Sequence, residues 1–158
     1  MACNECGSRT MHKADCPNRP AARGAGKPAL CWEGFGEGGA VGAREFCELS
    51  ELQRIVEAGA AHFDTRVVCE VSAGQHQFPV YAIAMGNPDP MLPAIGFFGG
   101  FHGLERIGTE VVLAYLDNLA MRLKWDRTLH DMLEHVRLVF MPLVNPAGVW
   151  RGTRANPN

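Results

Sequence analysis

Ala94-Ile95-Gly96-Phe97-Phe98-Gly99-Gly100-Phe101-His102-Gly103-Leu104-Glu105 runs from an apolar segment through a glycine pair to a histidine and a glutamate three residues apart. Residues 94–101 are apolar and aromatic, few in number, and bounded by Pro93 and Gly99-Gly100, which predicts a buried β-strand. Beyond Glu105, Ile107, Val111, Tyr115, Leu119 and Leu123 recur every four residues and predict a long amphipathic helix. Thr128 is placed to cap a shorter helix whose apolar face is Leu129, Met132, Leu133 and Val136. Residues 138–144 predict a second buried strand, despite Pro142, ending at Asn145-Pro146.

Strand, helix, helix, strand, with uninterrupted apolar strands, predicts a parallel pair inside an α/β sheet covered on both faces. Upstream, the β-rich segments 67–71 and 78–85 are separated by Ser72-Ala73-Gly74-Gln75, which predicts a hairpin. The expected fold is therefore α/β: a mixed sheet with parallel core strands flanked by helices. Leu49, Leu52, Ile55 and Val56 share a helix face before the hairpin, and Ser50 with Gln53 has the spacing of a capping box. Residues 150–158 read as loop.

The chain of 158 residues carries 15 Lys+Arg against 17 Asp+Glu, a net charge of −2, with 47% hydrophobic and 20% charged residues. That balance belongs to a globular domain and excludes a nucleic-acid binder working by bulk positive charge. Apolar runs such as 138–144 fall far short of the roughly 20 residues that cross a bilayer, so no membrane association is expected. Residues 1–10 are polar without an apolar h-region, so the expected compartment is the cytoplasm. There, the six cysteines are expected as free thiols or metal ligands rather than disulfides.

Residues 1–45 differ from the rest: glycine-rich, punctuated by Pro17, Pro20 and Pro28, and without apolar periodicity. They read as a Cys/His-bearing head and linker ahead of a patterned domain over 46–158. Cys3, Cys6, His12 and Cys16 supply three thiols and an imidazole, a closed set for structural zinc. No aromatic residue lies between Met1 and Leu30 to stack a base, so nucleic-acid binding is not expected despite Arg9 and Lys13.

The chemistry concentrates where the first apolar strand ends. Side chains at the carboxyl end of a strand in an open α/β sheet face the crevice where such sheets bind ligands. His102 and Glu105, on a turn opening into a helix, can converge there, and both are suitable zinc ligands. A catalytic zinc needs a third protein ligand, and His62, His76, His130 and His135 offer no obvious candidate. After the second strand comes Asn145-Pro146-Ala147-Gly148-Val149-Trp150-Arg151-Gly152-Thr153-Arg154. If the strands are neighbours, an arginine in this loop could stabilise an oxyanion or hold a carboxylate.

Together, His102-x-x-Glu105 after an apolar strand, Asn145-Pro146-x-Gly148, and Trp150-Arg151-x-Thr153-Arg154 resemble the zinc carboxypeptidase family, over residues 46–158. The order and separation of these motifs fit its bacterial, cytoplasmic-type branch. The resemblance implies a zinc-dependent hydrolase of peptide or amide bonds, with His102 and Glu105 as two zinc ligands. Arg151 would polarise the scissile carbonyl and stabilise the oxyanion. It also implies a substrate-gripping Asn-Arg pair, a third histidine ligand and a general-base glutamate, none of which can be placed before Asn158. The expectation is thus a partial catalytic domain with little or no activity alone. Two alternatives stand beside it. One is a zinc deacylase resembling aspartoacylase or succinylglutamate desuccinylase, which share Gly-x-His-Gly-x-Glu. The other is a non-catalytic module in which the zinc-knuckle head does the work.

Overall fold

Eight elements follow one another in the computed structural model, which describes residues 46–155. They are α1 (Cys47–Ala58), β1 (Asp64–Ala73), β2 (His76–Gly86), β3 (Ala94–Phe98), α2 (Arg106–Arg122), α3 (Arg127–Leu133), β4 (Arg137–Met141) and α4 (Pro146–Arg151). These residues lie within one compact unit, Ala43–Asn158. The head, with Cys3, Cys6, His12 and Cys16, lies outside the described residues.

The four strands form one sheet in the order β1-β2-β4-β3. β1 and β2 make the expected hairpin, closed by Gly74-Gln75 with Ala73 opposite His76. β2 is antiparallel to β4, and β3 is parallel to β4, with Ala94 opposite Arg137 and Phe98 opposite Met141. The sheet is therefore mixed with a parallel pair, and helices flank it. β4 stops at Met141, short of the 138–144 expected, because Pro142 has no N–H to donate to a ladder. β3 likewise stops at Phe98, and the chain leaves the sheet at the glycine pair.

The core contains the fully buried side chains Leu52 and Ile55 of α1, Ile83 of β2, Leu116 and Leu119 of α2, and Phe140 of β4. Phe140 stacks on Phe97 with ring centroids 4.8 Å apart, and Tyr115 meets Phe97 edge-on at 5.2 Å. The start of α1 is earlier than a cap at Ser50 implies. Phe46 is the N-cap and makes no side-chain cap bond; its ring packs edge-on against Phe78 at 5.0 Å and near Trp150 at 5.5 Å. Tertiary packing rather than a capping box sets that boundary. At α3 the cap is Asp126, whose carboxylate accepts from the Leu129 N–H at 3.1 Å, two residues before the expected Thr128.

α2 presents a different face from the one its four-residue spacing suggests. Its buried residues are Thr109, Leu113, Leu116, Leu119 and Ala120, whereas Ile107 is 76% and Val111 63% exposed. A strict spacing of four advances about 40° per step on a helix of 3.6 residues per turn, so Ile107 and Leu123 stand about 160° apart. On β3, at the sheet edge, Ile95 and Phe98 are also half exposed.

Among the described residues no helix is long and apolar enough to cross a membrane. Cys69 is an exposed free thiol, as expected, but Cys47 is disulfide-bonded and departs from the expectation of free thiols.

Candidate metal centre

Because β3 and β4 are parallel, their carboxyl ends come out side by side, and the loops that follow are joined through the main chain. The Gly99 N–H donates to the Met141 carbonyl at 2.9 Å, Val144 to Gly99 at 3.0 Å, and Asn145 to Gly100 at 2.9 Å. Gly100 has φ +67°, and a Cβ there would lie 2.7 Å from the Thr109 hydroxyl. A side chain at Gly100 would push the loop off the start of α2.

Asn145 connects three segments. Its Oδ1 accepts from the Gly148 N–H at 2.9 Å and caps α4, which has Pro146 in its first turn. Its Nδ2 donates to the Phe101 carbonyl at 3.2 Å and the Arg154 carbonyl at 3.4 Å. The segment expected as loop thus begins with a capped six-residue helix. Gly152, at φ +67°, ends that helix in the left-handed conformation. The chain then returns so that the Gly103 N–H donates to the Arg154 carbonyl at 3.3 Å. Gly103 itself packs on backbone: a Cβ there would overlap the Gly148 carbonyl and the Thr153 oxygen.

On this frame His102 Nδ1 lies 3.1 Å from Glu105 Oε1, with both side chains substantially exposed. The loop closes through the Glu105 N–H, which donates to the His102 carbonyl at 2.9 Å. The helix that follows is anchored by an ion pair between Arg106 and the buried Glu48 of α1. Two donors bound to one tetrahedral zinc at about 2.0–2.1 Å are separated by about 3.3 Å, close to the spacing of this imidazole nitrogen and carboxylate oxygen. The pair therefore fits zinc in donor type and separation. Two donors are fewer than the three protein ligands a catalytic zinc takes, and among the described residues no group of three or more His, Cys, Asp or Glu comes together.

The guanidinium beside this pair belongs to Arg154. Its Nη1 lies 3.4 Å from Glu105 Oε1 and its Nη2 3.4 Å from His102 Nε2. Arg151 points elsewhere: its Nη2 is 3.2 Å from where a Cβ on Gly74 would stand, at the turn of the β1–β2 hairpin. The sequence signal for Arg154 is Gly152, the helix-ending residue that turns the chain back toward His102. The other described histidines do not join the pair. His76 stacks on Phe78, ring centroids 6.0 Å apart. His62 and His130 meet each other at 5.6 Å, and His62 lines a cavity of about 210 Å³ with Asp64, Gly86 and Arg137, at the amino end of β4. That is the opposite end of the sheet.

The family model for zinc carboxypeptidases matches residues 65–158, from the hairpin through both loops. Carboxypeptidase D of Anas platyrhynchos is 35% identical over 109 residues, 66% of this chain and 8% of that protein. Carboxypeptidase D of Homo sapiens is 33% identical over 60 residues, 38% of this chain and 4% of that protein. The chain thus spans less than a tenth of the curated relatives it matches. Among solved structures, a protein assigned as a metallopeptidase from Shewanella amazonensis is 28% identical, with a TM-score of 0.51 covering 70% of this chain and 36% of that one. A metallo-carboxypeptidase from Burkholderia cenocepacia, 16% identical with a TM-score of 0.55 over 70% of this chain and 29% of its own, shares the fold. With the pattern matched across the sheet and both loops that leave it, the chain belongs to the zinc carboxypeptidase family.

Proposed function

We propose that residues 46–158 form part of a zinc-dependent carboxypeptidase-type hydrolase acting on peptide or amide bonds. The observation that carries this is the convergence of His102, Glu105 and Arg154 at the carboxyl ends of two parallel strands. His102 and Glu105 would hold the zinc, through Nδ1 and the carboxylate. When bound, zinc supplies Lewis-acid polarisation and lowers the pKa of water. Arg151 is proposed, from the motif resemblance, to polarise the scissile carbonyl and stabilise the oxyanion, and Arg154, the guanidinium beside the ligands, is a second group placed to stabilise that charge. Its donors already sit on an anionic oxygen, and their fork suits that task.

A third ligand and a general base would come from residues outside 46–155, so the polypeptide by itself is proposed to hydrolyse peptides poorly or not at all. A structural zinc on Cys3, Cys6, His12 and Cys16 also belongs to this proposal and rests on their spacing. The test is zinc stoichiometry of the full chain and its variants. His102→Ala and Glu105→Ala should each remove the same equivalent of zinc, while Cys3→Ala removes a different one. Retention of all bound zinc by both His102→Ala and Glu105→Ala would sink the assignment.

A further inference from the structure

Arg154 lies against the atoms that would ligate a cation. Glu105 Oε1, the oxygen 3.1 Å from His102 Nδ1, also has Arg154 Nη1 at 3.4 Å. Arg154 Nη2 is 3.4 Å from His102 Nε2. A guanidinium has only donors, so Nε2 accepts from it, and the imidazole proton then sits on Nδ1, donating to Glu105. That arrangement uses a lone pair of each proposed ligand side chain. A cation on Nδ1 requires the ring proton to reside on Nε2 instead, where it would face a second donor. The two positive charges would also stand within a few ångström of each other.

The backbone of Arg154 is fixed independently of this contact. Its carbonyl accepts from the Gly103 N–H and from Asn145 Nδ2. The side chain is 67% exposed, so it can swing away without disturbing either loop.

Resting on the assignment of His102 and Glu105 as ligands, we infer that Arg154 is a built-in competitor for the metal site: a divalent cation binds only as the guanidinium leaves the pair. Displacement would release the donors of Arg154 for the substrate, coupling its availability to metal occupancy. The competing contact is exposed and long, so it lowers metal affinity by roughly threefold to tenfold.

Calorimetric titration of chelator-treated full chain with Zn2+ tests this, reading the binding component that His102→Ala removes. Arg154→Gln should tighten that component by about threefold to tenfold, and Arg154→Lys, which keeps the charge but not the fork, should fall between. An affinity that is unchanged or weaker in Arg154→Gln, with that component present, overturns the competition and leaves the ligand assignment standing. If His102→Ala removes no component, the ligand assignment fails and the competition with it. Thermal melting of Arg154→Gln at the wild-type midpoint would establish that the loops are intact.

Discussion

Gly103 and Gly148 meet backbone to backbone: a single added carbon on Gly103 would overlap the Gly148 carbonyl. The contact holds the loop bearing His102 and Glu105 against the loop bearing Arg154. Gly103→Ala should therefore cost about 1–3 kcal/mol by forcing the loops apart. It should also weaken the His102-dependent zinc component, which an ordinary loss of stability would not do under conditions where the chain stays folded. Urea unfolding and zinc titration on the same preparation check both.

The buried face of α2 makes a second expectation. Leu113→Ala removes a core side chain and should destabilise by about 2–4 kcal/mol. Ile107→Ala, about half a turn from the core stripe and exposed, should stay within about 0.5 kcal/mol. Equal losses at the two sites would contradict the orientation of the helix.

The outer edge of β3 has no strand partner among the described residues, and Ile95 and Phe98 on it, like Ile107 and Val111 on α2, expose apolar surface. Such an edge pairs readily with other chains. The purified polypeptide should self-associate with rising concentration, and Ile107→Lys with Val111→Lys should reduce it. Sedimentation velocity across a concentration series measures this; a monomer throughout would contradict it.

Acid should act through Asp126. The Arg122 guanidinium, at 2.6 Å, together with the Leu129 N–H, holds its carboxyl below the usual aspartate value. A folded-state pKa below the unfolded one stabilises the fold above the ordinary value of about 3.9, and that contribution disappears as pH falls through the depressed value. Asp126→Asn keeps a capping oxygen but not the charge, so its urea midpoint should change less than that of the wild type between pH about 5 and 2. Parallel curves would remove Asp126 from the acid response.

The parallel pair, the hairpin and the His102–Glu105 loop were legible in the sequence because each is written locally: an apolar run, a turn, a glycine pair. What was not legible depends on the third dimension. The spacing of Ile107, Val111 and Tyr115 is a helical signal, yet only the position of the sheet decides which side of the spiral is buried. Phe46 begins α1 because Phe78 and Trp150, distant in sequence, receive its ring. Arg151 and Arg154 are chemically identical and three residues apart, and only the left-handed turn at Gly152 separates their destinations.

Asn145 gives the two loops a shared point of failure. One amide caps the start of α4, holds the carbonyl of Phe101 after β3 and fixes the carbonyl of Arg154. Selection or engineering that seeks new selectivity by lengthening either loop must therefore redesign both together, or retain that amide as the hub around which each is rebuilt.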